Sequence, residues 1–356
     1  MAHWLDMLLI GPLLLAGLAM FGLTRDGRWW QAPVAAAEVN ATADAAPVRL
    51  GPYTLGSKIG EGAMGEVYRA WNSAAGAWHA LKLLPRHASP SDRRRFEKEA
   101  RLGALVRHPN TVSIIEQAEE RQGTCYYAME LLEGTNLQQL VEREGAQPAS
   151  RVARILGQLA AALEEMHVQG LVHRDVKPEN VLLTGGEREL CKLIDFGLVE
   201  HVGALAQGQP EGALIGTPLY ISPEAIVAPE TVGPRSDLYG LGAVGYFLLR
   251  GEPVFRGQSL IEVCCHHLHS TPEPLGLALD DRAAGEAGAA ELERIVLDCL
   301  AKDPGDRPAS AAELARRLAR CGELACLQSR RVARGRPSRR AEACCPARGT
   351  ECPIAA

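Results

Sequence analysis

The 356-residue sequence predicts an α+β fold behind an N-terminal hydrophobic helix. Three observations carry that expectation. Met7–Leu23 is an uncharged apolar run. Strand-like runs interrupted by glycines begin at Tyr53. An amphipathic stretch at Ser91–Val106 and a hairpin pattern at Leu171–Asp195 then put helix and strand into one chain. Apolar residues make up 47% of the chain, as in a globular protein. The net charge of −5 calls for no nucleic-acid partner.

As a helix, Met7–Leu23 would span roughly 25 Å, a little less than a hydrocarbon core of about 30 Å. Pro12 is tolerable in such a helix, and Trp29 and Trp30 suit a membrane interface. A secretory signal is a competing reading, because Ala35–Ala37 resembles a cleavage site. The leading segment MAHWLD, however, carries no Lys or Arg. A dispensable extension competes too. The expectation is a membrane anchor in residues 1–30, spanning once at 7–23. Arg25 and Arg28 follow the span, which puts the C-terminal bulk in the cytoplasm. If residues 1–30 are dispensable, the alternative is a cytoplasmic protein. Residues 31–52, rich in Ala and Val, read as a linker.

From Tyr53 the chain reads YTLGSKIGEGAMGEVYRAW. Gly60, Gly62 and Gly65 fall in a hairpin between two strand-like runs, with Val67 two residues on. A dinucleotide fingerprint would instead run from a strand into a helix. Glycines let a backbone close over phosphates without Cβ obstruction, although the same pattern also suits a tight turn. In AWHALKLL, Lys82 lies among apolar neighbours. It needs an anionic partner or an exposed edge.

Ser91–Val106 reads as an amphipathic helix beginning near Pro90 and Ser91. Phe96, Gly103 and Val106 mark its inward stripe, with Leu102 at the edge. Glu99 points with that stripe, whereas Glu97 points to solvent with Arg93 and Arg101. Glu99 is therefore the carboxylate that could meet Lys82, unless it belongs to a solvated face.

Leu171–Leu183 reads LVHRDVKPENVLL, and Leu190–Asp195 reads as a second strand. Gly185 and Gly186 between them signal a hairpin turn. That hairpin brings Asn180 and Asp195 to one end of the sheet. Clustered oxygen ligands suit Mg²⁺, which keeps waters and binds phosphates. Asp175, close by, is placed to accept a proton from an incoming hydroxyl.

With these motifs in order, the sequence resembles a protein kinase over about Tyr53 to Arg320. Specifically, it is similar to the eukaryotic-like (Hanks-type) serine/threonine kinases of bacteria. The resemblance implies a bilobal protein kinase fold, with a small β-rich N-lobe (53–132) and a larger, mainly helical C-lobe (133–320). It implies that Gly60, Gly62 and Gly65 cover the phosphates of ATP. Ile59, Glu61, Ala63, Met64, Val67 and Ala80 would complete that part of the nucleotide site. Lys82 would hold the α- and β-phosphates and pair with Glu99. Met129 would stand beside the adenine pocket, followed by the hinge Glu130–Leu132, with Leu132 lining the nucleotide. Asp175 would be the catalytic base, and Lys177 would neutralise the transferring phosphate. Asn180 and Asp195 would hold Mg²⁺, with Mn²⁺ the alternative. Lys177, two residues after Asp175, resembles the Ser/Thr class, and Thr217 in GTPLYISPE agrees. Ser222 replaces the Ala more common in that motif. Glu224 and Arg307 match the family's buried ion pair. Residues 236–249 resemble its central helix, with Asp237 anchoring the catalytic loop.

The implied activity is ATP-dependent phosphorylation of Ser/Thr hydroxyls on protein substrates, with a homodimer as one route to activation. A membrane-tethered pseudokinase is the alternative, but Lys82, Asp175 and Asp195 are all present. A small-molecule kinase would lack the GTPLYISPE segment.

Cys125, Cys191 and Cys299 read as core hydrophobes. Cys264 and Cys265 adjoin His266, His267 and His269. These are metal-ligand types, but the run scans as one amphipathic helix. Cys321, Cys326, Cys344, Cys345 and Cys352 read as free thiols near or in a tail (321–356). Ser329–Arg340 holds six arginines, and this tail is expected to be disordered.

One loop departs from expectation. Residues 198–216 contain no Ser, Thr or Tyr. Related kinases with His-Arg-Asp often use that Arg to bind a phosphothreonine in this segment. Here Arg174 is present without an acceptor, and Glu211 is a candidate for a permanent, weaker partner. The competing expectation is that Glu211 is solvated and that dimerisation or a partner activates the protein.

Overall fold

The computed structural model describes residues 48–62, 65–119, 124–185, 189–205, 216–277 and 288–321. The expected anchor at 7–23 and most of the expected tail lie outside the described residues.

Six strands form the first sheet: β1 (Arg49–Leu50), β2 (Tyr53–Gly62), β3 (Gly65–Asn72), β4 (Ala77–Leu83), β5 (Ile114–Glu119) and β6 (Cys125–Glu130). Their order is β1-β2-β3-β4-β6-β5. Alternation along the strands gives the sheet two apolar faces. Tyr53, Ala70, Leu81, Tyr126 and Ala128 pack on one face. Leu84, Phe96, Ala100, Cys125 and Tyr127 pack on the other. Lys82 is opposite Val67 on β3 and Tyr127 on β6. β1 lies inside the stretch assigned to the linker, pairs with Tyr53 and Thr54, and buries Leu50. The folded domain therefore begins before Tyr53.

Helix α1 spans Pro90–Leu105 and covers the second face. Its N-cap is Ser89, so it starts at Pro90, one residue before the expected Ser91. The Ser89 side chain accepts from the Asp92 N–H, and Asp92 reaches back to the Ser89 N–H. Phe96, Glu99, Ala100, Leu102 and Gly103 are its buried residues, so Leu102 is inside the stripe rather than at its edge. A Cβ on Gly103 would fall 2.5 Å from Ile114 Cδ1 and 2.8 Å from Phe196 Cδ2. Only glycine lets α1 approach the segment after Asp195 so closely.

The second lobe is built on helices. The longer ones are α2 (Leu137–Glu144), α3 (Ala149–Val168), α4 (Pro234–Arg250), α5 (Leu260–His269), α6 (Ala289–Cys299) and α7 (residues 311–321). Every residue of α4 from Ser236 to Leu249 is buried, which fits the expected central helix. It packs between α3 and α6, where the helices approach across Gly242 and Gly245. Cys321, assigned to the tail, is instead buried in this core with Leu314 and Leu318. The run that includes Cys264 and His267 is the helix α5, as its periodicity indicates. Tyr239 hydroxyl and His267 Nδ1 are 2.8 Å apart there. Burial, with Lys302 nearby, pushes His267 down to about 3. No group of three or more His, Cys, Asp or Glu among the described residues could hold a metal ion. No helix among them is long and apolar enough to cross a membrane.

Small sheets join the lobes at the cleft. β7 (Gly134–Asn136), β9 (Val181–Thr184) and β10 (Leu190–Leu193) form one, in the order β10-β9-β7. The expected hairpin is present, with Val181 opposite Leu193 and Thr184 opposite Leu190. β8 (Leu171–Val172) pairs with β11 (Glu200–His201) in the other.

Candidate active site

Strand β4 delivers Lys82 and helix α1 delivers Glu99. Lys82 Nζ lies 2.6 Å from Glu99 Oε1, and the carboxylate is fully buried. The Tyr127 hydroxyl donates to the same oxygen at 2.6 Å. Glu99 Oε2 is buried and has no hydrogen-bond partner. Burial alone would drive Lys82 toward its neutral form. Glu99 and Asp195 outweigh it and hold the ammonium above its ordinary range. The pairing of Lys82 with Glu99, rather than with solvent, follows the helix periodicity. Tyr127 gives no such signal in the sequence, because only strand register places it across from Lys82.

Asp195 follows the hairpin. Its backbone has φ +73°, a left-handed conformation that few non-glycine residues adopt. Its Oδ1 accepts the Gly197 N–H at 3.0 Å and lies 4.0 Å from Lys82 Nζ. Burial opposes its ionisation, but Lys82 and the Gly197 N–H outweigh it, so the carboxyl lies below its ordinary value. The side chain is 46% exposed. Asn180 sits at the same end of the hairpin, just before β9, and its carbonyl accepts the Ile194 N–H at 2.9 Å.

Asp175 is the point of convergence. Lys177 Nζ lies 2.6 Å from its Oδ2. Asn180 Nδ2 donates to the same oxygen at 3.0 Å and to the Asp175 carbonyl at 2.9 Å. The Thr217 hydroxyl donates to Asp175 Oδ1 at 2.8 Å, and Lys177 Nζ donates to that hydroxyl at 2.8 Å. With its amide nitrogen engaged, Asn180 can offer its Oδ1 as an acceptor. That oxygen and the open Asp195 carboxylate form a hard, two-residue donor set. Such a set fits a divalent ion that completes its shell with waters and phosphates.

Asp237, at the start of α4, holds this loop in place. It accepts the His173 and Arg174 N–H groups at 2.8 Å each, and His167 Nε2 lies 2.8 Å away. Burial raises its carboxyl, but these groups outweigh that and hold it below its ordinary value. They also support Arg174 at φ +67°. His167 gives no signal in the sequence. Glu224 and Arg307 form the expected buried pair, bidentate at 2.7 and 2.8 Å.

The remaining expected nucleotide residues lie on the first sheet or just after it. Gly60 is opposite Val67 and Gly62 opposite Gly65. Ile59 is 44% exposed, and Glu61 pairs with Lys58 at 2.7 Å. Ala80 is buried and opposite Met129. Met129 and Leu132 pack against the large core. Glu130 turns its side chain to Lys192 at 2.8 Å. Ala63 and Met64 lie outside the described residues, as does Glu211.

The family model for the protein kinase domain matches residues 53–318. The chain belongs to that family, and within it to the bacterial Hanks-type serine/threonine kinases. It is 35% identical over 267 residues to serine/threonine-protein kinase pkn3 of Myxococcus xanthus, covering 73% of this chain and 48% of that protein. It is 37% identical over 275 residues to serine/threonine-protein kinase pkn2 of the same organism, covering 76% and 32%. It is 34% identical over 274 residues to serine/threonine-protein kinase PknB of Mycobacterium tuberculosis, covering 75% and 42%. The matched regions thus cover less than half the length of these relatives. The family implies ATP and a divalent metal ion.

Proposed function

We propose that the chain transfers the γ-phosphoryl group of ATP to Ser or Thr hydroxyls of proteins, with Mg²⁺ as the divalent ion. The observation that supports this reading is the Thr217 hydroxyl donating to Asp175 Oδ1 at 2.8 Å. A substrate hydroxyl meeting that oxygen in Thr217's stead is within reach for proton transfer. Asp175 takes the hydroxyl proton as the oxygen closes on the γ-phosphorus and ADP departs. Lys177 stands beside both oxygens and offsets charge that develops there. Lys82, fixed by Glu99, orients the phosphates under the glycine hairpin. Asn180 and Asp195 would hold the divalent ion, which would neutralise phosphate charge.

The test is phosphate transfer from ATP with MgCl₂ to a Ser/Thr peptide library. Asp175→Asn should lower kcat by about 10²–10⁴, the range for losing a general base. Equal transfer by parent and variant would refute the base assignment.

We further infer that residues 7–23 anchor the chain in the cell membrane, with the kinase domain in the cytoplasm. The support is the uncharged run followed by Arg25 and Arg28. The full chain should sediment with membranes and lose that property on deletion of residues 1–30. A soluble full chain would refute it.

A further inference from the structure

The ion pair between Lys98 and Glu200 has no part in the chemistry above. Lys98 Nζ donates to Glu200 Oε2. Lys98 precedes Glu99 on α1, so the two side chains point about 100° apart. One reaches β4 through Lys82, and the other reaches β11 through Glu200. Glu200 itself lies five residues after Asp195, on a strand paired with β8, with Glu200 opposite Val172. Its residue is 8% exposed, and its Oε1 accepts the His201 N–H at 3.1 Å. Two residues beyond, the Val202 N–H donates to the Gly170 carbonyl at 3.0 Å, so the segment carrying Glu200 is fixed to the second lobe.

The same carboxylate acts on Arg174. Burial pulls that guanidinium below its ordinary range, and the charges of Glu200 and Asp237 oppose the shift. Arg174 Nε donates to the Leu198 carbonyl at 2.7 Å. Glu200 therefore bears on two cations, Lys98 by direct contact and Arg174 through its charge. No Ser, Thr or Tyr occurs in residues 198–216, so hydroxyl phosphorylation has no acceptor in that stretch.

We infer that Lys98 and Glu200 are a positioning pair that holds α1, and with it Glu99, in register with Lys82 and Asp195, and that this encoded charge makes the register independent of phosphorylation. The Lys82–Glu99 contact has little slack. It joins residues on two elements, and a shift of α1 by about one ångström would lengthen it beyond hydrogen-bonding range. Lys98–Glu200 ties the same helical turn to the segment that carries Asp195, so both halves of the cleft move together. The inference rests on the phosphotransfer reading.

The experiment uses the full chain after phosphatase treatment. It measures kcat on a Ser/Thr peptide, affinity for trinitrophenyl-ATP and the melting temperature. Glu200→Gln and Lys98→Met should each lower kcat by about five-fold, the upper range for a partly exposed pair. The double variant should be no worse than the weaker single variant, because the two residues act as a unit. Lys98→Arg should keep the parent rate, and melting temperatures should stay together. Single variants within about twofold of the parent, or losses that multiply in the double variant, would overturn the pair. So would a loss in Lys98→Arg equal to that in Lys98→Met. If the parent transfers no phosphate, the phosphotransfer reading fails. The pair is then judged by nucleotide affinity alone, where a non-multiplying loss supports it and unchanged affinity overturns it.

Discussion

Two buried ion pairs occupy the two lobes, and they are built differently. Glu224–Arg307 is saturated. Its guanidinium meets both carboxylate oxygens and also donates to the carbonyls of Arg235, Ala301 and Lys302. The Ser236 hydroxyl donates to Glu224 at 2.6 Å. Lys82–Glu99 is sparse. One contact joins the pair, one tyrosine supports it, and Glu99 Oε2 is left without a partner. A buried charge pair repays its desolvation only when its hydrogen bonds are complete. The first pair meets that condition and fixes a loop to a core. The second does not, and under the proposed function its worth lies in what Lys82 does for the nucleotide.

The comparison breaks most easily at the saturated pair. Arg307→Met leaves a buried carboxylate and three backbone carbonyls without their donor. It should cost about 3–5 kcal/mol in urea unfolding. A loss under about 1 kcal/mol would place the pair with ordinary surface contacts. A smaller effect is the pH dependence. Burial opposes ionisation of Glu224, but Arg307 and Ser236 outweigh it and hold its pKa below the ordinary 4.5. A depressed native pKa means the unfolded chain binds the proton more readily. The stability from this group is therefore complete above about pH 4.5 and lost as pH falls through the native value. The unfolding free energy should fall more steeply below that pH in the parent than in Glu224→Gln. Parallel slopes would contradict the account. The smallest effect concerns α1, which carries Glu99. Ser89→Ala removes its N-cap and should cost about 1 kcal/mol of stability, measured by thermal unfolding.

The lines between sequence and structure fall along sequence distance. Glu99 is legible because helical periodicity aims it inward. Asn180 and Asp195 are legible because a glycine turn closes a short hairpin. Asp175 and Lys177 lie two residues apart in one loop. Each of these depends on local geometry. Tyr127 and His167 are not legible, because each meets its partner across a distance set by strand register or helix packing. Glu200 is hidden for the same reason: Lys98 is 102 residues away in the chain. β1 reads as linker because two residues have no detectable period. Cys321 reads as tail because its helix carries the last layer of core, where no signal in the sequence marks the boundary.

Under the proposed function the two pairs divide the work: the sparse pair serves the reaction and the saturated pair serves the fold. The most direct test of this division is the double variant Lys82→Met/Glu99→Gln, in which the substituted amide keeps an acceptor for Tyr127. Phosphotransfer and urea unfolding are measured on the same preparation. The kcat should be at least about 100-fold lower, as for other lost electrostatic stabilisers of a transition state. The unfolding free energy should stay within about 1 kcal/mol of the parent. Retained phosphotransfer, or a loss of stability above about 3 kcal/mol, would contradict the division.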